Sequence, residues 1–308
     1  MELSGRPPSN ELPLAEARRE FIVTAGAMGG TQRPLASVMS RSIPGPGGTI
    51  PVRVYLPTLP AGRELPAIVY YHGGGWVIGN LDTHDRLCRV LAAETGCVVI
   101  AVDYRLSPEH RFPAASDDAL AAFRRVTERG PELHADPSRV AVAGDSAGGN
   151  LAAVTALRAL ADGGPTPCFQ LLIYPVTDLR CESASYDACA DGYLLTRDMM
   201  LWFRSHYLGD PALDEEAARR SQHPNASPLL AEDLTGLPQA LVLTAEFDPL
   251  REEGRAYAER LREAGVAVSY RCHAGLVHGF ATLGGSIPAA RQAISEACTA
   301  VRLAVARP

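Results

Sequence analysis

Residues 140–160 read VAVAGDSAGGNLAAVTALRAL: a short apolar run, a turn crowded with glycine, then an alanine-rich stretch without proline. The opening run suits a buried strand and the closing stretch a helix. Between them Gly144-Asp145-Ser146-Ala147-Gly148 matches G-x-S-x-G, in the strand–turn–helix setting that this motif requires. So tight a turn leaves little room for side chains at its flanks, hence Gly144 and Gly148, and it lifts the Ser146 hydroxyl above the strand ends. The helix start behind it favours negative charge developing nearby. A serine capping a helix in a glycine-rich turn would look similar in isolation, so the rest of the chain must decide.

Outward from this stretch, apolar runs recur as AIVYY (67–71), VVIAVDY (98–104), LLIY (171–174) and ALVLTA (240–245), each followed by a helix-like or loop segment. Continuous apolar runs mark strands buried on both faces of a parallel sheet, and the strand–crossover–strand rhythm is that of a doubly wound α/β fold. Ahead of them, Ser37 to Ile43 and Ile50 to Leu56 flank PGPGG and predict an antiparallel hairpin. Leu12 to Met28 predicts an amphipathic helix broken at Gly29-Gly30, and Ile287 to Ala306 a final helix packed on the sheet. From about Asp178 to Leu230 the rhythm stops; the stretch is polar, with one helix-like piece from Thr196 to Tyr207. A long insertion between core strands is usually a lid or binding loop. Together with the N-terminal helix it is expected to cap the C-terminal edge of the sheet, where open α/β folds bind ligands. The expected organisation is an N-terminal cap segment (1–45), a core in two parts (46–178 and 231–308) and a cap insertion (179–230).

Composition narrows the chemistry. At 308 residues one large core is the simpler reading, and 46% hydrophobic with 21% charged residues is ordinary for a globular protein. A net charge of −6 without any basic run argues against nucleic acid and against a polybasic membrane anchor. A neutral small molecule is the expected partner. All 29 basic residues are arginine, so a Schiff-base lysine, a P-loop lysine and a Ser-Lys dyad are excluded. The seven cysteines are scattered without a C-x-x-C pair, which indicates neither a zinc site nor a disulfide framework and fits a reducing compartment. The N-terminus lacks an apolar signal-like core, and no stretch is long enough for a membrane span. A cytoplasmic location is expected.

A second motif, YYHGGGW, ends an apolar strand at His72 to Trp76. Three successive glycines leave backbone N–H groups unshielded, and two of them plus the N–H of Ala147 can bind the oxyanion of a tetrahedral intermediate. His72 is expected to shape this loop by hydrogen bonds. A serine hydroxyl needs a base, and the base a partner that holds its tautomer. In the order Ser, acid, His, the chain offers Asp248 just past the ALVLTA strand and His278 in a loop before the final helix. Glu246, Glu252 and Glu253 are alternative acids and His273 is the competing histidine; His206 and His223 lie in the expected cap.

These motifs, in this order from about Val52 to Phe280, resemble the hormone-sensitive-lipase-like esterases of the α/β-hydrolase superfamily. The shared stretches are His72-Gly73-Gly74-Gly75-Trp76, Tyr104-Arg105-Leu106-Ser107-Pro108-Glu109, Gly144 to Asn150, Asp248-Pro249-Leu250 and His278-Gly279-Phe280. The resemblance implies a triad of Ser146, Asp248 and His278, an oxyanion hole from the N–H groups of Gly74, Gly75 and Ala147, a helical cap and no cofactor. Ser107 stands where alanine is usual, and Glu252 where the family often has aspartate. The Tyr104 to Ala115 segment reads as structural, supporting the oxyanion loop through a buried charge network of Arg105 and Glu109. Trp76, Tyr193, Met199, Trp202 and Phe203 are candidates to line the substrate pocket, and the family favours short to medium acyl esters. An amidase, lactonase or carbamate hydrolase would use the same machinery. A non-catalytic receptor of this fold would have lost the triad histidine, whereas His278 is present. Dimers through a sheet edge occur in the family, so a homodimer is allowed; no feature of the sequence itself points to one.

Overall fold

The computed structural model describes residues 7–58, 64–210 and 212–306. Its centre is an eight-stranded sheet in the order β1-β2-β4-β3-β5-β6-β7-β8. The strands are β1 (Ser37–Gly45), β2 (Gly48–Leu56), β3 (Leu65–Tyr71), β4 (Val98–Val102), β5 (Ala135–Asp145), β6 (Gln170–Ile173), β7 (Ala240–Phe247) and β8 (Val268–Val277). The hairpin β1–β2 forms around the proline–glycine turn, and β2 runs antiparallel to both β1 and β4. From β3 to β8 every pairing is parallel. The sheet therefore begins at Ser37, within the segment 1–45 expected to belong to the cap.

Alternation along the central strands explains why their sequences are apolar throughout. Val69, Tyr71, Ile100, Val142, Leu172 and Val242 point into one core, while Ile68, Tyr70, Val99, Ala141, Leu171 and Leu241 point into the other. Helices α3 (Ala114–Arg129), α4 (Ala147–Ala161) and α8 (Arg251–Glu263) cover the first face, and α2 (Asp85–Thr95) and α9 (Pro288–Val305) the second. Each fully buried Val or Ile is worth about 1.5–3 kcal/mol, enough to hold β3 to β7 in the interior. β8 has only β7 beside it, and of its residues Leu276 alone is buried.

Helix α1 (Leu14–Met28) precedes the hairpin. Between β6 and β7 the chain carries α5 (Ala184–Ala188), α6 (Arg197–Leu208) and α7 (Glu215–Ser221). The Thr196 side chain caps α6 by accepting from Met199 N–H, a partner that turns a loop residue into a helix start. A 3-10 turn at Ser9–Glu11 packs on α6, so the N-terminal segment and the insertion meet. Met200, Phe203 and Tyr207 of α6 enter the first core, which seats the insertion on the sheet. Among the described residues no helix is long and apolar enough to cross a membrane.

The expected network between Arg105 and Glu109 is corrected by the structure. Arg105 binds Asp118 on α3 through Nε and NH2, each at 2.8 Å, while Glu109 takes a bidentate bond from Arg18 on α1. That fork holds the Glu109 carboxyl at about 2, below the ordinary carboxylate range. Arg18 also donates to the carbonyls of Val77 and Ser107, so it pins α1 to the loop following the glycine run.

Candidate active site

Ser146 sits between β5 and α4 with φ 55°, a strained backbone for a non-glycine residue. The surroundings impose it: Ser146 N–H donates to Ile173 carbonyl at 2.9 Å, and its own carbonyl accepts from Asn150 and Val176. Glycine is needed on either side. A Cβ on Gly148 would lie 1.9 Å from the Tyr71 carbonyl oxygen, and one on Gly144 2.2 Å from that of Gly148. Asn150 then donates to the carbonyls of Val176 and Ala226, tying both ends of the insertion to the elbow helix.

Asp248 lies in the turn after β7, fully buried. Its Oδ1 accepts from Leu250 N–H at 2.9 Å, which leaves Oδ2 facing His278 Nδ1 at 2.8 Å. The other ring nitrogen, Nε2, is 3.0 Å from Ser146 Oγ. An ionised carboxylate only accepts, so Nδ1 carries the proton and Nε2 is free to accept from the serine hydroxyl. The competing groups point elsewhere. Glu246 accepts from Gly275 N–H, Glu252 pairs with Arg251 and Arg255, and Glu253 accepts from Thr177 and Asp178 N–H groups. His273 packs its ring on Phe280.

The glycine loop leaves β3 with Gly74 at φ 115° and Gly75 at φ 59°. The Gly74 carbonyl is taken by Val77 and Ile78 N–H groups, whereas among the described residues the N–H groups of Gly74, Gly75 and Ala147 donate to no protein acceptor. His72 shapes the loop as expected: its Nδ1 is 2.7 Å from the Gly73 carbonyl and its ring stacks on Tyr104 at 4.3 Å. Burial, with His84 adding to it, lowers the His72 imidazole to about 3, so it is neutral at pH 7.

The five pocket candidates separate into different settings. Phe203 lies directly over Gly75, and Trp202 meets Phe203 edge-on at 5.0 Å. Met199 is half-buried one turn earlier on α6. Tyr193 stacks on Phe247, at the end of β7. Trp76 has no exposed surface and stacks on Tyr207 at 4.2 Å, behind the loop.

Several neighbours of the site escaped the sequence reading. Leu194 is 39% exposed, and its Cδ2 lies 3.3 Å from where a Cβ on Gly279 would sit, beside His278. Its signal was only its position after Tyr193. Tyr174 has its ring 4.5 Å from that of His278. Asp145, the variable position of the elbow motif, is buried against Tyr70, Gly73 and His84. Among the described residues no cluster of His, Cys, Asp and Glu is arranged to hold a metal ion.

Comparison with known proteins places the chain among ester-hydrolysing α/β hydrolases. A family model described as the alpha/beta hydrolase fold matches residues 68–282. Carboxylic ester hydrolase LipN of Mycobacterium tuberculosis is 47% identical, over 92% of this chain and 75% of that protein. Ethyl acetate hydrolase of Pseudomonas putida is 40% identical, over 93% and 89%. The crystal structure of EstE1, a thermostable carboxylesterase cloned from a metagenomic library, superposes with a TM-score of 0.90 at 42% identity, covering 97% of this chain and 99% of that one.

Proposed function

The chain belongs to the hormone-sensitive-lipase-like esterases of the α/β-hydrolase superfamily, and from that premise we propose that it cleaves short to medium acyl esters with Ser146 as nucleophile, His278 as general base and Asp248 as the residue orienting the histidine. The observation that carries this reading is the continuous bond path from Asp248 Oδ2 through His278 to Ser146 Oγ, at 2.8 and 3.0 Å. Ser146 Oγ attacks the ester carbonyl as His278 Nε2 takes its proton. The Gly74, Gly75 and Ala147 N–H groups hold the oxyanion, and the alcohol leaves with the proton from Nε2. Water then repeats the sequence on the acyl-enzyme, releasing the acid, while Asp248 stays ionised and stabilises the imidazolium.

Residues 179–230 and the N-terminal segment ahead of the sheet act as the cap, with Tyr193, Leu194, Met199, Trp202 and Phe203 facing the acyl chain and Trp76 buttressing them through Tyr207. Support comes from Phe203 over Gly75 and from Leu194 beside Gly279. A cytoplasmic location belongs to the same reading, supported by seven cysteines that are all unpaired. So does a homodimer paired along β8, supported by the position of that strand at the sheet edge. Light scattering tests the dimer.

Hydrolysis of p-nitrophenyl esters of increasing acyl length, by wild type and Ser146→Ala side by side, tests the function. Serine-dependent turnover that falls with chain length is expected. Turnover that survives Ser146→Ala would remove Ser146 from the mechanism.

A further inference from the structure

Asp145 precedes the nucleophile, so its backbone is fixed by the elbow, and its carboxylate is buried. Oδ1 accepts from the Tyr70 hydroxyl at 2.5 Å and from Gly73 N–H at 2.9 Å, one residue before the first proposed oxyanion donor. The fit is close: a Cβ on Gly73 would lie 2.4 Å from Oδ2. Oδ2 is also 3.5 Å from the Tyr174 hydroxyl, which accepts from Ala281 N–H at 3.2 Å in the turn following His278. One carboxylate thus touches the strand ahead of the glycine loop, the loop itself and, through Tyr174, the segment carrying the histidine.

A lone buried carboxylate would be costly and would oppose an oxyanion forming close by. His84, at the start of α2, faces this carboxylate, with Nε2 3.2 Å from Asp145 Oδ1. Its Nδ1 is 2.8 Å from Thr83 Oγ, whose own proton goes to the Asn80 carbonyl. Both ring nitrogens therefore have hydrogen-bond partners, which holds the imidazole against the carboxylate. Burial pushes the Asp145 carboxyl up, but His84 and the bonds from Tyr70 and Gly73 outweigh it and hold the group at about 2.

Resting on the reading of Ser146 and the 74–75 amides as the reaction centre, we propose that Asp145, held by His84, is a positioning residue that locks the oxyanion loop and the histidine loop to the nucleophile elbow. Asp145→Asn tests this with little change of shape. One oxygen can still serve Gly73, but the new NH2 group faces the His84 Nε2–H and the Tyr174 hydroxyl. The expected result is a kcat lower by about 10- to 100-fold with KM held within about threefold, and binding of a trifluoromethyl ketone weakened by a similar factor, because that inhibitor needs the oxyanion donors. Amide deuterium exchange across residues 70–78 should quicken while that of β4 stays unchanged. If Asp145→Asn does not fold, His84→Gln carries the same readouts with the same expectation.

A folded variant whose 70–78 exchange matches wild type, or whose kcat stays within about threefold of it, would overturn the proposal; the threshold lies well below the cost of losing one oxyanion donor. Exchange is read without substrate. An inactive wild type, or an active Ser146→Ala, would therefore sink the functional reading while the exchange data still decided the role of Asp145.

Discussion

The ring of Phe203 fills the space above Gly75: a Cβ placed on that glycine would lie 2.2 Å from Cγ and Cδ1 of the ring. Helix α6 thus rests on the glycine loop, and Gly75 itself has φ 59°. Gly75→Ala meets a steric clash and an unfavourable backbone together. It should lower kcat by about 100-fold or more, the loss typical of a displaced oxyanion donor. The double variant Gly75→Ala/Phe203→Ala should relieve the clash, so that it is less destabilised than the sum of the two single changes, yet it should not recover the rate. Melting curves and steady-state kinetics on both proteins check this.

The same contact makes Phe203 a gauge of pocket depth. Phe203→Ala should cost about 3–5 kcal/mol of stability as a large-to-small core change. It should also raise the ratio of kcat/KM for hexanoate over acetate esters by about tenfold, since each methylene in an apolar pocket is worth about 1–3 kcal/mol. A p-nitrophenyl ester series measures the ratio, and an unchanged ratio would remove Phe203 from the acyl pocket.

For Asp248→Asn the hydrogen bonds predict a specific failure. The amide oxygen would keep the Leu250 N–H and the NH2 group would face His278 Nδ1. That forces the ring proton onto Nε2, where it cannot accept from Ser146. A fall in kcat of about 10⁴ is expected, with the fold intact. Stopped-flow and steady-state assays, with circular dichroism as the control, read it out.

How much of this was legible in the sequence depended on whether a residue's surroundings lie nearby in the chain. β3, β4 and the elbow were legible because burial on both faces leaves an unbroken apolar run, as in Val98–Val102. β8 was not named as a strand: VSYRCHAGLV pairs with β7 alone, and its mixed polar pattern reflects an edge. Asp248 and His278 were legible from chain order after strands. Arg105 and Glu109, four residues apart, invited a pairing that the fold resolves into Arg105 with Asp118 and Glu109 with Arg18. Asp145 was hidden in plain view, because Tyr70, Gly73, His84 and Tyr174 reach it from separate segments.

Glu253 supplies a pH prediction. Burial raises its carboxyl well above the ordinary 4.5, with one oxygen accepting from Thr177 and Asp178 N–H groups. An acid whose folded value is raised binds more protons in the native state than unfolded. Its contribution is therefore full below about pH 4.5 and is lost as pH rises above it. Glu253→Gln keeps the acceptor and removes the charge. Its melting temperature should gain on wild type from pH 5 to 9, by about 2–4 °C for each kcal/mol. Parallel melting curves for the two proteins across that range would contradict this.

The identity of the nucleophile is tested most directly by covalent capture. Wild-type protein incubated with diethyl p-nitrophenyl phosphate should take up one diethylphosphoryl group per chain, located by peptide mass spectrometry on Ser146, with ester hydrolysis lost in step. A label on another residue, or continued hydrolysis by fully labelled protein, would contradict Ser146 as the nucleophile.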